Sequence, residues 1–278
     1  SQLRTIFISS LFKKQSGNLE LRTQGKAILI SHSDAEGRHR GRGYWGIAKD
    51  VDDKLCTHVT DYSTDCPSWL HHCSEEEMLH ENTGTTLHVL GFSDEWDHWE
   101  NDLAISIIEN FFDAIYRGNL VVEINDFQLD DTNIVEVFEE KYNSYMENSP
   151  LYKAKEIRRW DSRHRYLYAS QEASNLGPGD NKYTIDSKVL DGLGSVKLQI
   201  VVGEDLPKKV AAIRNGMFIT EEIHSTLTSF GGFKDFIAIF ECTNDKGNKL
   251  LRSMENERHD AFVPMQLIDK KSQQKCRA

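Results

Sequence analysis

TGTTLHVLGF (83–92), WDHWENDLAISIIENFFDAIYRG (96–118) and NLVVEI (119–124) decide the fold. A Gly-Thr pair opens an apolar run over 85–92 that reads as a buried-type strand. From Trp96 onward, Trp99, Leu103, Ile107, Ile108, Phe111, Phe112 and Ile115 recur at helical spacing. Asp97, Glu100, Asp102, Glu109 and Asp113 fill the positions between them. This periodicity predicts a long two-faced helix with a solvated acidic side. Gly118 is placed to stop it as a left-handed residue just past the end. Residues 120–124 then read as a strand.

Working upstream, 3–10 and 19–31 are strand-like and are joined by the loop LFKKQSGN (11–18). The glycine-rich and arginine-rich stretch 37–46, which contains RGRGYWGI (40–47), reads as an exposed loop of unusual backbone freedom. Residues 54–62 suit a further strand. SEEEML (74–79) suits a short helix with Ser74 as cap and Glu77 three residues on.

Downstream, 132–145 reads as a second helix, 151–168 as a locally basic segment and 175–181 as a turn-rich break. Strands follow at 182–185, 195–203, 210–220 and 233–242. TNDKGN (243–248) reads as a turn, and LLRSMENERHDAFVP (250–264) as a short helix or ordered loop. The expected class is α+β. The seam falls between Phe92 and Trp96, which divides the chain into 1–94, 95–270 and a frayed tail, 271–278.

Composition narrows the options. With 38% hydrophobic and 28% charged residues the chain is globular rather than disordered. No apolar run approaches the ~20 residues needed to span a bilayer, and residues 1–30 lack a signal-peptide pattern. The chain opens on SQLRTIFISS without an initiator Met, which reads as part of a longer polypeptide. A net charge of −11 argues against tight nonspecific DNA binding by the whole surface. Cys56, Cys66, Cys73, Cys242 and Cys276 are widely spread with no CxxC, as expected of reduced thiols in a cytoplasmic protein.

A Gly-Thr pair at a strand start can form one wall of a purine pocket. Glycine lets the backbone approach the base, and the hydroxyl bonds ring nitrogens. With the order of elements around it, the chain resembles the GHKL ATPases, the fold shared by DNA gyrase B, MutL, the heat-shock chaperone and MORC proteins. The resemblance rests on Gly84-Thr85-Thr86, GRGYWGI, IRNGMFIT (213–220), FIAIFECTNDKG (236–247), LRSME and ENERHD (255–260). More narrowly it is similar to uncharacterised bacterial members, some encoded beside restriction or phage-defence genes.

The resemblance implies the carboxyl-side part of a GHKL α/β sandwich followed by a transducer-like βαβ domain. ATP and Mg²⁺ would then be cofactors of the parent protein, with Gly84, Thr85 and Thr86 near adenine. Arg258 would reach the γ-phosphate, with Arg252 and Arg214 as competitors. The parent would couple nucleotide binding and hydrolysis to closure or dimerisation through its amino-terminal half, with DNA as a possible partner.

The family's general-base Glu, Mg²⁺-binding Asn and DxGxG box are expected before residue 1. Glu109-Asn110 lies after the Gly-Thr strand and reads as solvated helix face. This chain alone is therefore expected to bind no cofactor and to be inactive.

Three other readings compete. Lys155, Arg158, Arg159 and Arg163, interleaved with Tyr152, Trp160, Tyr166 and Tyr168, could bind nucleic acid. Alternatively that helix pairs against the acidic stretch 126–147. Cys56, His58, Cys66, His71, His72, Cys73 and His80 are zinc-type ligands for a structural or interaction domain, though their spacing fits no common finger. Glu139, Glu140 and Lys141 resemble a fragment of a metal-nuclease motif but lack an Asp partner.

Overall fold

In the computed structural model, which describes residues 5–35, 37–48, 56–60, 67–70, 83–91, 99–147, 154–190, 192–223, 230–270 and 273, the chain forms two units. These are Ser1–Asp97 and His98–Ala278, and together they are α+β.

The first unit is built on alternation. Strands β1 (Thr5–Lys13) and β2 (Leu19–Ile28) pair antiparallel, with Leu11 opposite Leu21 and Ser9 opposite Thr23. All four of these residues are buried, and the Ser9 and Thr23 hydroxyls bond each other at 2.9 Å. The pairing continues through Leu11–Lys13, so the expected long loop is a turn over 14–18. Lys14 N–H donates to the Asn18 carbonyl, and Gly17 takes φ +89°.

The expected loop at 37–46 is also strand. After β3 (His32–Asp34), β4 (Gly37–His39) pairs back onto it, and β5 (Arg42–Trp45) pairs with β2. Close approach is needed at Gly41, where a Cβ would lie 2.1 Å from the Leu29 carbonyl oxygen, whereas Gly37, at φ +130°, uses glycine's backbone freedom. Short strands β6 (Ile47–Ala48) and β7 (Cys56–Thr57) form their own pair. Strand β8 (Gly84–Leu90) pairs with β1, giving the sheet order β5-β2-β1-β8. Among the described residues β8 is an edge strand with no buried residue, not the buried strand its apolar content predicts. The expected helix at 74–79 lies outside the described residues.

The second unit opens with helix α1 (Trp99–Tyr116). Asn119 N–H donates to the Ala114 carbonyl and Gly118 N–H to that of Ile115, with Gly118 at φ +68°. This is the paired six-to-one and five-to-two closure of a Schellman stop. Strands β9 (Val122–Ile124) and β10 (Phe127–Leu129) form a small hairpin, followed by helices α2 (Ile134–Glu147) and α3 (Ala154–Ser170).

Strands β11 (Asn181–Leu190), β12 (Gly194–Val202), β13 (Lys209–Arg214), β14 (Met217–Thr220) and β15 (Phe236–Cys242) make a sheet of order β11-β12-β15-β13-β14. Only β13 and β15 run parallel. The expected single strand at 210–220 is a hairpin, because Asn215 (φ +49°) and Gly216 (φ +76°) supply a turn with both central residues left-handed. Phe112, Phe138, Tyr166, Ile213, Phe218 and Ile239 belong to the core between helices and sheet.

The acidic side of α1 is not wholly solvated. Glu109 is buried and Asp113 fully so. Arg117 reaches Asp113 at 3.1 Å and grips both oxygens of Glu241 at 2.9 and 2.8 Å, while Ser170 donates to Asp113. Burial, together with the nearby Glu241 charge, holds the Asp113 carboxyl above its usual range despite Arg117.

TNDKGN does not form a free turn: it opens helix α4 (Asp245–Met254), with the Asn244 side chain accepting from Gly247 N–H. The same amide donates to the Leu193 and Ser195 carbonyls at 2.8 Å. Asn244→Ala is expected to lower the stability of this unit by about 1–2 kcal/mol, read as a shift in urea midpoint at constant slope.

Candidate functional site

The sheet of the first unit buries one face and exposes the other. Phe7 meets the rings of Trp45 and Trp69 edge-on, Trp69 meets His88, and Val59 and Leu70 pack beneath. The opposite face presents Ile6, Ile8, Ile28 and Leu87, all substantially exposed. A groove of about 700 Å³ runs over this face, lined by Ile6, Ile8, Ser10, Phe12, Lys26 and Tyr44 among others.

Thr85 stands on this open face. It lies opposite Ser10 in the β1–β8 register, and the two hydroxyls bond at 2.8 Å. Thr86 points to the other side, opposite Ser9, and Gly84 starts the strand opposite Leu11. Of the three expected adenine contacts, Thr85 therefore has its polar atom beside the groove. Two cations flank it: Arg22 lies 4.9 Å from the Phe12 ring centroid, and Lys26 lies 5.9 Å from that of Tyr44. Hydrogen bonds from Lys14 and Arg22 hold the Glu20 carboxyl below its usual range. This combination of apolar floor, hydroxyl pair, aromatic rings and cations suits a ligand with a flat ring and an anionic end.

The expected γ-phosphate residues lie in the other unit. Glu255, which follows α4, is bonded bidentately by Arg214, one contact being 2.9 Å, and by His259 Nδ1 at 2.7 Å. Its backbone bridges to Phe262. Between them Asn256 N–H donates to the Ala261 carbonyl and Asn256 Oδ1 accepts from Asp260 N–H. Arg258 lies exposed on the loop so closed, and Arg252 is exposed on the last turn of α4. Neither forms an ion pair among the described residues, and Glu255 is taken by Arg214 and His259. Arg214 is thereby committed to the interior. Sequence reasoning passed over this anchor; an Arg-Asn-Gly hairpin beside a Glu and His four apart was the available signal.

The basic helix is only partly as expected. Lys155, Arg158 and Arg159 lie on the amino-terminal part of α3, with side chains outside the described residues. The Arg163 guanidinium lies 3.3 Å from the Phe218 ring centroid, Tyr166 is fully buried, and Tyr168 donates to Asp180. Contact with α2 runs through stacking of His164 on Tyr142 and a hydrogen bond from Tyr142 to Asp161. Glu139 and Glu140 are exposed on α2, and Lys141 donates to Asn101. Of the expected zinc ligands only Cys56 and His58 are among the described residues. No helix among the described residues is long and apolar enough to cross a membrane.

Comparison with protein-family models and with curated proteins finds no match to this chain.

Proposed function

We propose that this chain is the nucleotide-coupling portion of a GHKL-type ATPase. Thr85, with Ser10 behind it, forms one wall of the adenine pocket on the open face of the first unit. The parent protein supplies the general-base Glu, the Mg²⁺-binding Asn and the DxGxG segment. Within the second unit, Arg258 is the cation offered to a phosphate group, with Arg252 as the secondary cation.

The supporting observation is the state of Glu255. It is the buried carboxylate closest in sequence to both arginines, and it is already engaged by Arg214 and His259. The loop is thus fixed at its base, and its own exposed guanidinium is left for an external anion. The backbone that carries Arg258 is held in place, so only its side chain has to order when an anion binds.

In the parent polypeptide, Arg258→Ala is expected to lower ATP turnover by about 10²-fold. Arg252→Ala should lower it by less than about tenfold, the range of a charge acting at longer distance. Steady-state hydrolysis with unchanged thermal unfolding is the check. Turnover within about twofold of wild type for both variants, below the effect of one positioned donor, removes the assignment.

A further inference from the structure

Between β2 and β5 the chain makes an excursion that the nucleotide reading does not use. Leu29 N–H donates to the Gly41 carbonyl, and Gly41 N–H donates to Ser31 Oγ at 2.9 Å. Three residues, Leu29 to Ser31, then face two, Arg40 and Gly41, before pairing resumes between His32 and His39. This is a β-bulge, and it re-aims the tip relative to the sheet. Side chains two apart on a strand share a face, as do directly opposed partners. His32, Asp34 and His39 accordingly project from the same side of the tip.

The structure places one donor atom from each of these three residues within 4.8 Å of the other two. His39 Nε2 and Asp34 Oδ1 are already 3.0 Å apart. The His32 and His39 rings stack with centroids 5.0 Å apart and planes 22° from parallel. Donors around a tetrahedral Zn²⁺ are separated by about 3.4 Å, given metal–donor distances of about 2.1 Å. The His39–Asp34 pair, at 3.0 Å, is close to that spacing, and the exposed His32 ring must turn out of its stack on His39 to aim a nitrogen at the same ion. The simple alternative is an exposed His–Asp pair, worth only about 0–1 kcal/mol. It accounts for two of the groups, while the His32 ring, stacked on His39, brings a third donor atom within 4.8 Å of both.

We propose that His32, Asp34 and His39 form a three-ligand site for a divalent first-row transition ion, with Zn²⁺ as the occupant. Imidazole and carboxylate suit Zn²⁺ over Mg²⁺ or Ca²⁺. Three protein ligands leave the fourth position to water. His39 coordinates through Nε2, so its Nδ1 carries the proton. The ion clamps the tip of the β3–β4 hairpin, closing the arm at the end opposite its Leu29–Gly41 base. This set shares no residue with the expected zinc ligands of 56–80 and does not depend on the nucleotide reading.

The test titrates this chain with Zn²⁺ by calorimetry and with Co²⁺ by absorbance, beside the His32→Ala/His39→Ala double variant and Asp34→Asn. All three residues are exposed or half-exposed, so the variants should keep the wild-type circular dichroism. The expected result is a Co²⁺ component without thiolate charge-transfer absorption. It should weaken at least about 100-fold in the double variant, beyond the effect of losing an outer-shell partner, and less in Asp34→Asn. Zn²⁺ should also slow amide exchange at residues 32–39 in wild type only. Absence of metal uptake overturns the proposal. So does uptake whose spectrum and affinity are unchanged in the double variant, which would place the ion on the cysteine-containing stretch.

Discussion

Glu255→Ala will destabilise the second unit by about 3–5 kcal/mol, the usual cost of breaking a buried ion pair from one side. The Glu255 side chain is fully buried and that of Arg214 is 11% exposed. Removing the carboxylate strands a largely buried guanidinium. The loss is expected as a lower urea midpoint. Arg214→Ala should behave similarly, and the double variant should be less damaged than the sum of the two.

The same group gives a pH signature. Burial alone would raise the Glu255 carboxyl, but hydrogen bonds from Arg214 and His259 outweigh it and hold it below its ordinary value of 4.5. A depressed folded value means the stabilisation is complete above the unfolded pKa and is lost as pH falls through the folded one. The advantage of wild type over Glu255→Gln should therefore shrink below about pH 4.5. Asp113 has the opposite sign. Burial raises its carboxyl above 3.8, so its contribution is present at low pH and is lost as pH rises through the folded value. Wild type should gain on Asp113→Asn as the solution is acidified. Chemical denaturation of the three proteins across this range checks both slopes.

Gly216→Ala will cost about 3 kcal/mol or more, combining a left-handed residue with overpacking. Gly216 sits at φ +76°, and its carbonyl accepts from Ala114 N–H of α1. An added Cβ would fall 2.6–2.8 Å from the Ala114 Cβ, Cα and N atoms. Backbone cannot yield as a flexible side chain can, so α1 must move away from β14. Asn215→Gly, one residue earlier at φ +49°, relieves strain and serves as the control. A loss under about 1 kcal/mol for Gly216→Ala, less than the left-handed penalty alone, would show that the helix is not held against this turn.

Local features were legible in the sequence and distant ones were not. The period of α1 and its glycine stop depend on residues within one helix, and both are where the pattern puts them. The burial of Asp113 depends on Glu241, reached through Arg117 across 124 positions. A helical wheel assigns every carboxylate to solvent because it cannot represent that partner.

Two misreadings had local remedies. Asn-Gly inside the apolar run 210–220 is a hairpin signal. Within 37–46, Gly41 and Gly46 mark close backbone approach, against Leu29 and the Thr57 carbonyl. Reading that stretch as a hairpin would also have put His32, Asp34 and His39 on one face. The candidate site divides the same way. Gly84-Thr85 could be placed from sequence as a strand start, but its Ser10 partner lies 75 positions away. The Arg214–Glu255 pair that occupies the carboxylate nearest Arg258 joins residues 41 positions apart.

The most direct measurement is calorimetric titration of a nonhydrolysable ATP analogue with Mg²⁺ into this chain, into the parent polypeptide, and into the parent carrying Arg258→Ala. The account predicts saturable binding by the parent, weakened in the variant, and none by this chain alone. Tight binding by the 278-residue chain, or no binding by the parent, would contradict it.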